Sequence, residues 1–157
     1  MRIDSNLEIG AGTPALSTVR LHVMRAAYGI IALGLFAMIW PLLLTQSEGV
    51  EHMRGVTWSL LGAVSVLALV GVRYPVQMLP LLLFELLWKT IWLLAIGLPQ
   101  RLAGTMGPGE AATWIDCIVG VVLCVIAIPW RYVLSQYVLR RGDPWRRDAL
   151  RQATAAR

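Results

Sequence analysis

Four stretches of apolar side chains, each about as long as a bilayer is thick, limit what this chain can fold into. They run at about 26–44, 56–72, 76–98 and 113–135. In hydrocarbon the backbone amides have only one another as partners, so such stretches become helices, and short links make successive helices antiparallel. Composition agrees, since 57% of the 157 residues are hydrophobic and 15% are charged, against roughly 25% charged in a soluble domain. The expectation is an all-α polytopic membrane protein, a four-transmembrane-helix antiparallel bundle over residues 20–139. A flexible cytoplasmic tail at 1–19 precedes it and a basic cytoplasmic tail at 140–157 follows.

A cleaved signal peptide is a competing reading of the first stretch, with Thr45 and Ser47 imitating a cleavage site. Its apolar core of about 19 residues exceeds the 7–15 of a signal, which favours a span. Orientation follows from the basic residues. Arg2, Arg20, Arg25, Arg73, Arg131 and every arginine beyond it fall on one side, and only Arg54 and Arg101 on the other. The loaded side is the cytoplasmic one, which places both chain ends there. Trp40, Trp58 and Trp114 then fall at the outer interface, and Tyr74 and Trp130 at the inner one, as belt residues.

The third span carries the most informative residues. Glu85 and the chain's single lysine, Lys89, stand one helical turn apart, acid before base, close to the middle of the span. Two central charges cost about 5–7 kcal/mol on an insertion scale, and the Val, Leu, Ile and Phe residues from Val76 to Leu98 offset about 4–8 kcal/mol. Such a helix inserts marginally by itself, so the charged face is expected to look inward at the other spans. Ser65 of the second span lies at nearly the same depth and is the neutral hydrogen-bond partner expected for the pair. Trp88 and Trp92 share that face, and each indole N–H requires an acceptor unless the rings simply pack. In the fourth span Asp116, Gly120, Cys124, Ala127 and Arg131 recur at helical spacing and form a narrow face suited to close packing against the third helix. Asp116 falls near the outer boundary, about 9 Å from the level of Lys89, beyond direct pairing unless the lysine extends. Pro75 suits the first turn of the third helix, and Pro80 is expected to kink it one turn before Glu85.

Beyond the fourth span, Tyr132 to Leu139 is expected to carry the helix out of the membrane until Gly142. Asp143 and Pro144 then start a short amphipathic helix with Trp145, Ala149 and Ala153 on one face. Arg140, Arg141, Arg146, Arg147 and Arg151 are the residues expected to meet lipid headgroups, at about 1 kcal/mol each on an anionic surface.

Chemistry of other kinds has little to stand on. The chain has no HExxH, CxxC, GxGxxG or P-loop, and His22 and His52 fall on opposite sides of the membrane. Cys117 and Cys124 are two helical turns, about 10 Å, apart, too far for a disulfide. No cofactor, metal or nucleic acid is expected, and catalysis is not favoured.

The string Arg73-Tyr74-Pro75 continuing to Leu79-Pro80-Leu81-Leu82-Leu83-Phe84-Glu85-Leu86-Leu87-Trp88-Lys89 resembles small four-span inner-membrane proteins of bacteria, a group without an assigned activity. The resemblance implies a bacterial inner membrane and no particular chemistry. Two functions remain open. One is a non-enzymatic membrane subunit, assembled with itself or in a larger complex, whose Glu85–Lys89 ion pair specifies helix docking. The other is a small proton-coupled transporter or channel, in which desolvation and the neighbouring lysine compete over Glu85 and let a proton or cation exchange there.

Overall fold

Proline and glycine set most of the helix ends in the computed structural model, which describes residues 17–46 and 49–139. Helix α1 spans Thr18–Thr45, with Ser17 as its N-cap and the Ser17 Oγ accepting from the Arg20 amide. It therefore begins earlier than hydropathy alone indicates and takes in two residues assigned above to the tail, because a capping serine needs no apolar neighbours. Helix α2 spans His52–Arg73. Helix α3 spans Leu79–Leu102 and α4 spans Pro108–Ala127. These four are long and apolar enough to cross a membrane, as in a multi-pass membrane protein, and no strand occurs among the described residues.

Two expectations about α3 are corrected. The helix starts at Leu79, with Pro80 in its first turn, so Val76–Met78 belong to the turn after α2 and Pro75 lies outside the helix. A proline ring clashes with the carbonyl four residues back, so Pro80 excludes residue 76 from the helix instead of bending a helix already under way. The irregularity falls later, where Leu93–Gly97 forms a π-helical turn and the Leu98 amide donates to the Leu93 carbonyl five residues back. Pro99 follows at once, and the wider turn accommodates its ring.

The fourth helix also differs from expectation. It starts five residues early, at Pro108 in the favoured first position after an extended Gly107. It stops at Ala127, because Ile128 precedes Pro129 and adopts the extended conformation, φ −68° and ψ 124°, that a following proline demands. The chain does not continue as one helix into residues 130–135. A separate unit has Trp130–Val133 and a π-helical Leu134–Leu139 as its described part. The predicted amphipathic helix and Arg140, Arg141, Arg146, Arg147 and Arg151 lie outside the described residues, as does the tail at 1–16.

Helix packing is antiparallel in both main pairs. Along α1 and α2, Tyr28 lies against Gly71 and Trp40 against Ser65, and along α3 and α4, Lys89 lies against Gly120 and Gly97 against Trp114. Helix α4 also returns to α1, where the Arg20 guanidinium donates to the Ile128 carbonyl at 2.5 Å. A cation thereby caps the carbonyl end of α4, where the helix dipole is negative. Helices α2 and α3, though joined by a short turn, touch only lightly.

Small residues line the inner seams, among them Ala27, Ala32, Gly62, Ser65, Ala68, Cys117, Cys124 and Ala127. They let backbones approach closely, which is how helices associate when lipid already satisfies the large apolar side chains. Only 17–28% of each span is buried within the bundle, and large side chains such as Leu33, Leu60, Leu87 and Ile126 point outward. That outer surface suits acyl chains rather than water.

Candidate functional site

The inward stripe of α3 is Leu79, Leu82 and Glu85, three residues apart, so helical geometry delivers Glu85 to the same interior as the two leucines. The residue is 1% exposed. Its Oε2 accepts from Lys89 Nζ at 2.5 Å, and the lysine side chain is 12% exposed. The same ammonium lies 4.0 Å from the centre of the Trp88 ring, within cation–π range. The acid–base pair is thus intrahelical and inward-facing.

The lysine stem runs across α4 at Gly120. A Cβ at that position would stand 2.6 Å from Lys89 Cδ, so glycine makes room for the lysine. The small-residue face read along α4 therefore meets the third helix with its middle, and its last member, Arg131, lies beyond the break at Pro129.

Ser65 does not serve the pair. It is buried, but its hydroxyl donates to the Gly62 carbonyl at 2.6 Å and accepts from the Trp40 indole at 3.1 Å. Equal depth placed it near Glu85, whereas the facing of α2 turned it towards α1. Trp40 is correspondingly more than a belt residue, being half-buried, stacked on Phe36 with ring centres 4.8 Å apart, and hydrogen-bonded inward. Trp92 stands against Gly97 at the π-helical turn. Trp88 stays with the pair, yet its Nε1 is buried without a hydrogen-bond partner among the described residues, and so is Glu85 Oε1. Each such group costs about 1–3 kcal/mol in a protein interior.

A cavity of about 330 Å³ opens between α1, α3 and α4. Glu85, Trp88 and Lys89 form its α3 side, Asp116, Cys117 and Gly120 its α4 side, and Ile30, Gly34 and Met38 part of its α1 side. Asp116 is exposed and makes no ion pair with a described residue. With α4 starting at Pro108, Asp116 lies near the middle of its helix, one turn, about 6 Å, from Gly120. The structure therefore gathers Glu85, Lys89, Trp88 and Asp116 around one space and leaves Ser65 and Trp92 elsewhere. Sequence reasoning missed the α1 wall. A signal for it was Gly34, set among Ile30, Ile31, Leu35 and Met38 of α1.

Among the described residues, no three His, Cys, Asp or Glu side chains gather closely enough to hold a metal ion. Comparison with protein-family models, with curated proteins and with solved structures gives no match for this chain.

Proposed function

We propose that the protein is a non-enzymatic subunit of a bacterial inner membrane, with both ends in the cytoplasm, whose Glu85–Lys89 pair fixes the docking of α3 in a bundle that assembles with itself or within a larger complex. The observation that carries this reading is the contact of the Lys89 stem with Gly120, which engages the pair with the neighbouring helix. Buried ionic groups of this kind favour one arrangement over others, often without adding stability. The orientation rests on Arg20, Arg25 and Arg73 at one end of α1 and α2, against Arg54 and Arg101 at the opposite ends of α2 and α3. The resemblance of the Arg73–Lys89 string to four-span inner-membrane proteins supports the same location.

The test is the double change Glu85→Gln with Lys89→Met in full-length protein. On this reading it alters the solubilised mass or the set of co-purifying partners and leaves proton movement in liposomes unchanged. A second reading, proton-coupled transport through Glu85, is favoured by the cavity beside that residue. If the double variant keeps its fold and associations but loses a proton-dependent flux, transport replaces docking as the function.

A further inference from the structure

The cavity between α1, α3 and α4 has a charge imbalance that the helices do not resolve. Glu85 and Lys89 neutralise each other across their 2.5 Å contact, which leaves the Asp116 carboxylate as the remaining formal charge on the lining. A carboxylate near the middle of a membrane helix costs about 2.5–3.5 kcal/mol, so its environment must supply a compensating group. The bundle adds a second, uncharged demand, because Glu85 Oε1 is buried and has no hydrogen-bond donor among the described residues. Asp116 calls for positive charge and Glu85 Oε1 for a hydrogen-bond donor, and a charged N–H group is both.

The remaining walls narrow the chemistry. Ile30, Met38 and Leu123 present hydrocarbon, and the volume falls at the lower end of the range of small-molecule pockets, about 300–1,000 Å³. A hard metal cation requires six or more oxygen ligands, and these walls offer two carboxylates, one already engaged by lysine. An anion would face Asp116 without a free counter-charge. An ammonium group satisfies a carboxylate with charge-assisted N–H donors, and a hydrocarbon body fits the α1 wall.

We propose that this cavity is a binding site for a small organic ammonium compound, its charged nitrogen at Asp116 and its apolar body along Gly34 and Met38 of α1. The site rests on Asp116 and the cavity, and depends neither on the docking role of the Glu85–Lys89 pair nor on transport. Gly34 gives an independent handle. A Cβ there would meet no atom within 4 Å, so a larger side chain enters the space without disturbing the seams.

The experiment is calorimetric titration of the full-length protein in detergent with phenethylammonium, alongside the neutral phenethyl alcohol, the anionic phenylpropionate and magnesium chloride. The expected result is saturable binding of the ammonium alone. Asp116→Asn and Gly34→Leu each weaken it by about tenfold or more, and Asp116→Glu retains it. Equal binding of the alcohol or of magnesium overturns the proposal, as does undiminished binding in Asp116→Asn. Should that variant lose its helical circular dichroism, Gly34→Leu decides alone, and undiminished binding there overturns the proposal equally.

Discussion

Along the seam between α1 and α2, the buried polar atoms find partners within the bundle: the Tyr28 hydroxyl donates to the Pro75 carbonyl at 3.1 Å, and Trp40, Ser65 and Gly62 form a chain. Along the seam between α3 and α4, the polar atoms are charged and incompletely matched, with Glu85 Oε1 and Trp88 Nε1 lacking partners among the described residues. Glycines serve the two seams differently. Gly71 receives a rigid aromatic ring, whereas Gly120 receives a flexible lysine stem. The first seam is closed by shape and satisfied hydrogen bonds, which hold one arrangement. The second is held by a charge pair beside a cavity, and incomplete satisfaction of that kind concentrates where a protein binds or moves something.

The largest expected effect comes from removing one partner of the charged seam. Lys89→Met leaves Glu85 buried without its cation and is expected to cost about 3–5 kcal/mol in denaturation measured in detergent. Adding Glu85→Gln should recover most of that loss, because a neutral amide does not need the lysine. A loss below about 1 kcal/mol, the range of a surface pair, would erase the contrast between the seams.

Overpacking distinguishes them next. Gly71→Ala drives a methyl to within 2.5 Å of the buried Tyr28 ring and is expected to cost about 1–3 kcal/mol, visible as a lower Tm. Gly120→Ala meets only the end of a lysine that can swing aside, so its Tm should fall less. The reverse order would mean that the lysine stem is as fixed as the tyrosine.

The smallest effects concern the two indoles. Trp40→Phe removes the hydrogen bond to Ser65 and should cost about 0.5–1.5 kcal/mol beyond any change in packing. Trp88→Phe removes an N–H that has no acceptor among the described residues, so it should cost less than Trp40→Phe in the same unfolding assay. Equal losses would show that Trp88 Nε1 is satisfied in the membrane by a group from outside the bundle.

Much of the fold was legible because lipid imposes few choices. Hydropathy gave the four helices, and the stripe of Leu79, Leu82 and Glu85 carried the inward turn of the acid. The helix ends were less accessible. Pro80 looked like a kink because apolar residues extend on both sides of it, and hydropathy cannot tell a helix interior from a first turn. Hydropathy carried the fourth span through Pro129 to residue 135, yet Ile128 before that proline is extended. Ser65 was placed by depth alone, and depth says nothing about which neighbour a helix faces.

Sequence by itself determined that the chain is helical and apolar enough to cross a membrane four times, since unsatisfied amides in hydrocarbon leave no other solution, and that Glu85 and Lys89 share a turn. Tertiary structure alone decided that Lys89 crosses Gly120, that Ser65 belongs to Trp40, and that Asp116 borders the same cavity as the pair. The division has one physical cause: hydrogen bonding within a helix is local, whereas the rotation of each helix about its axis is set by how side chains from distant segments fit together.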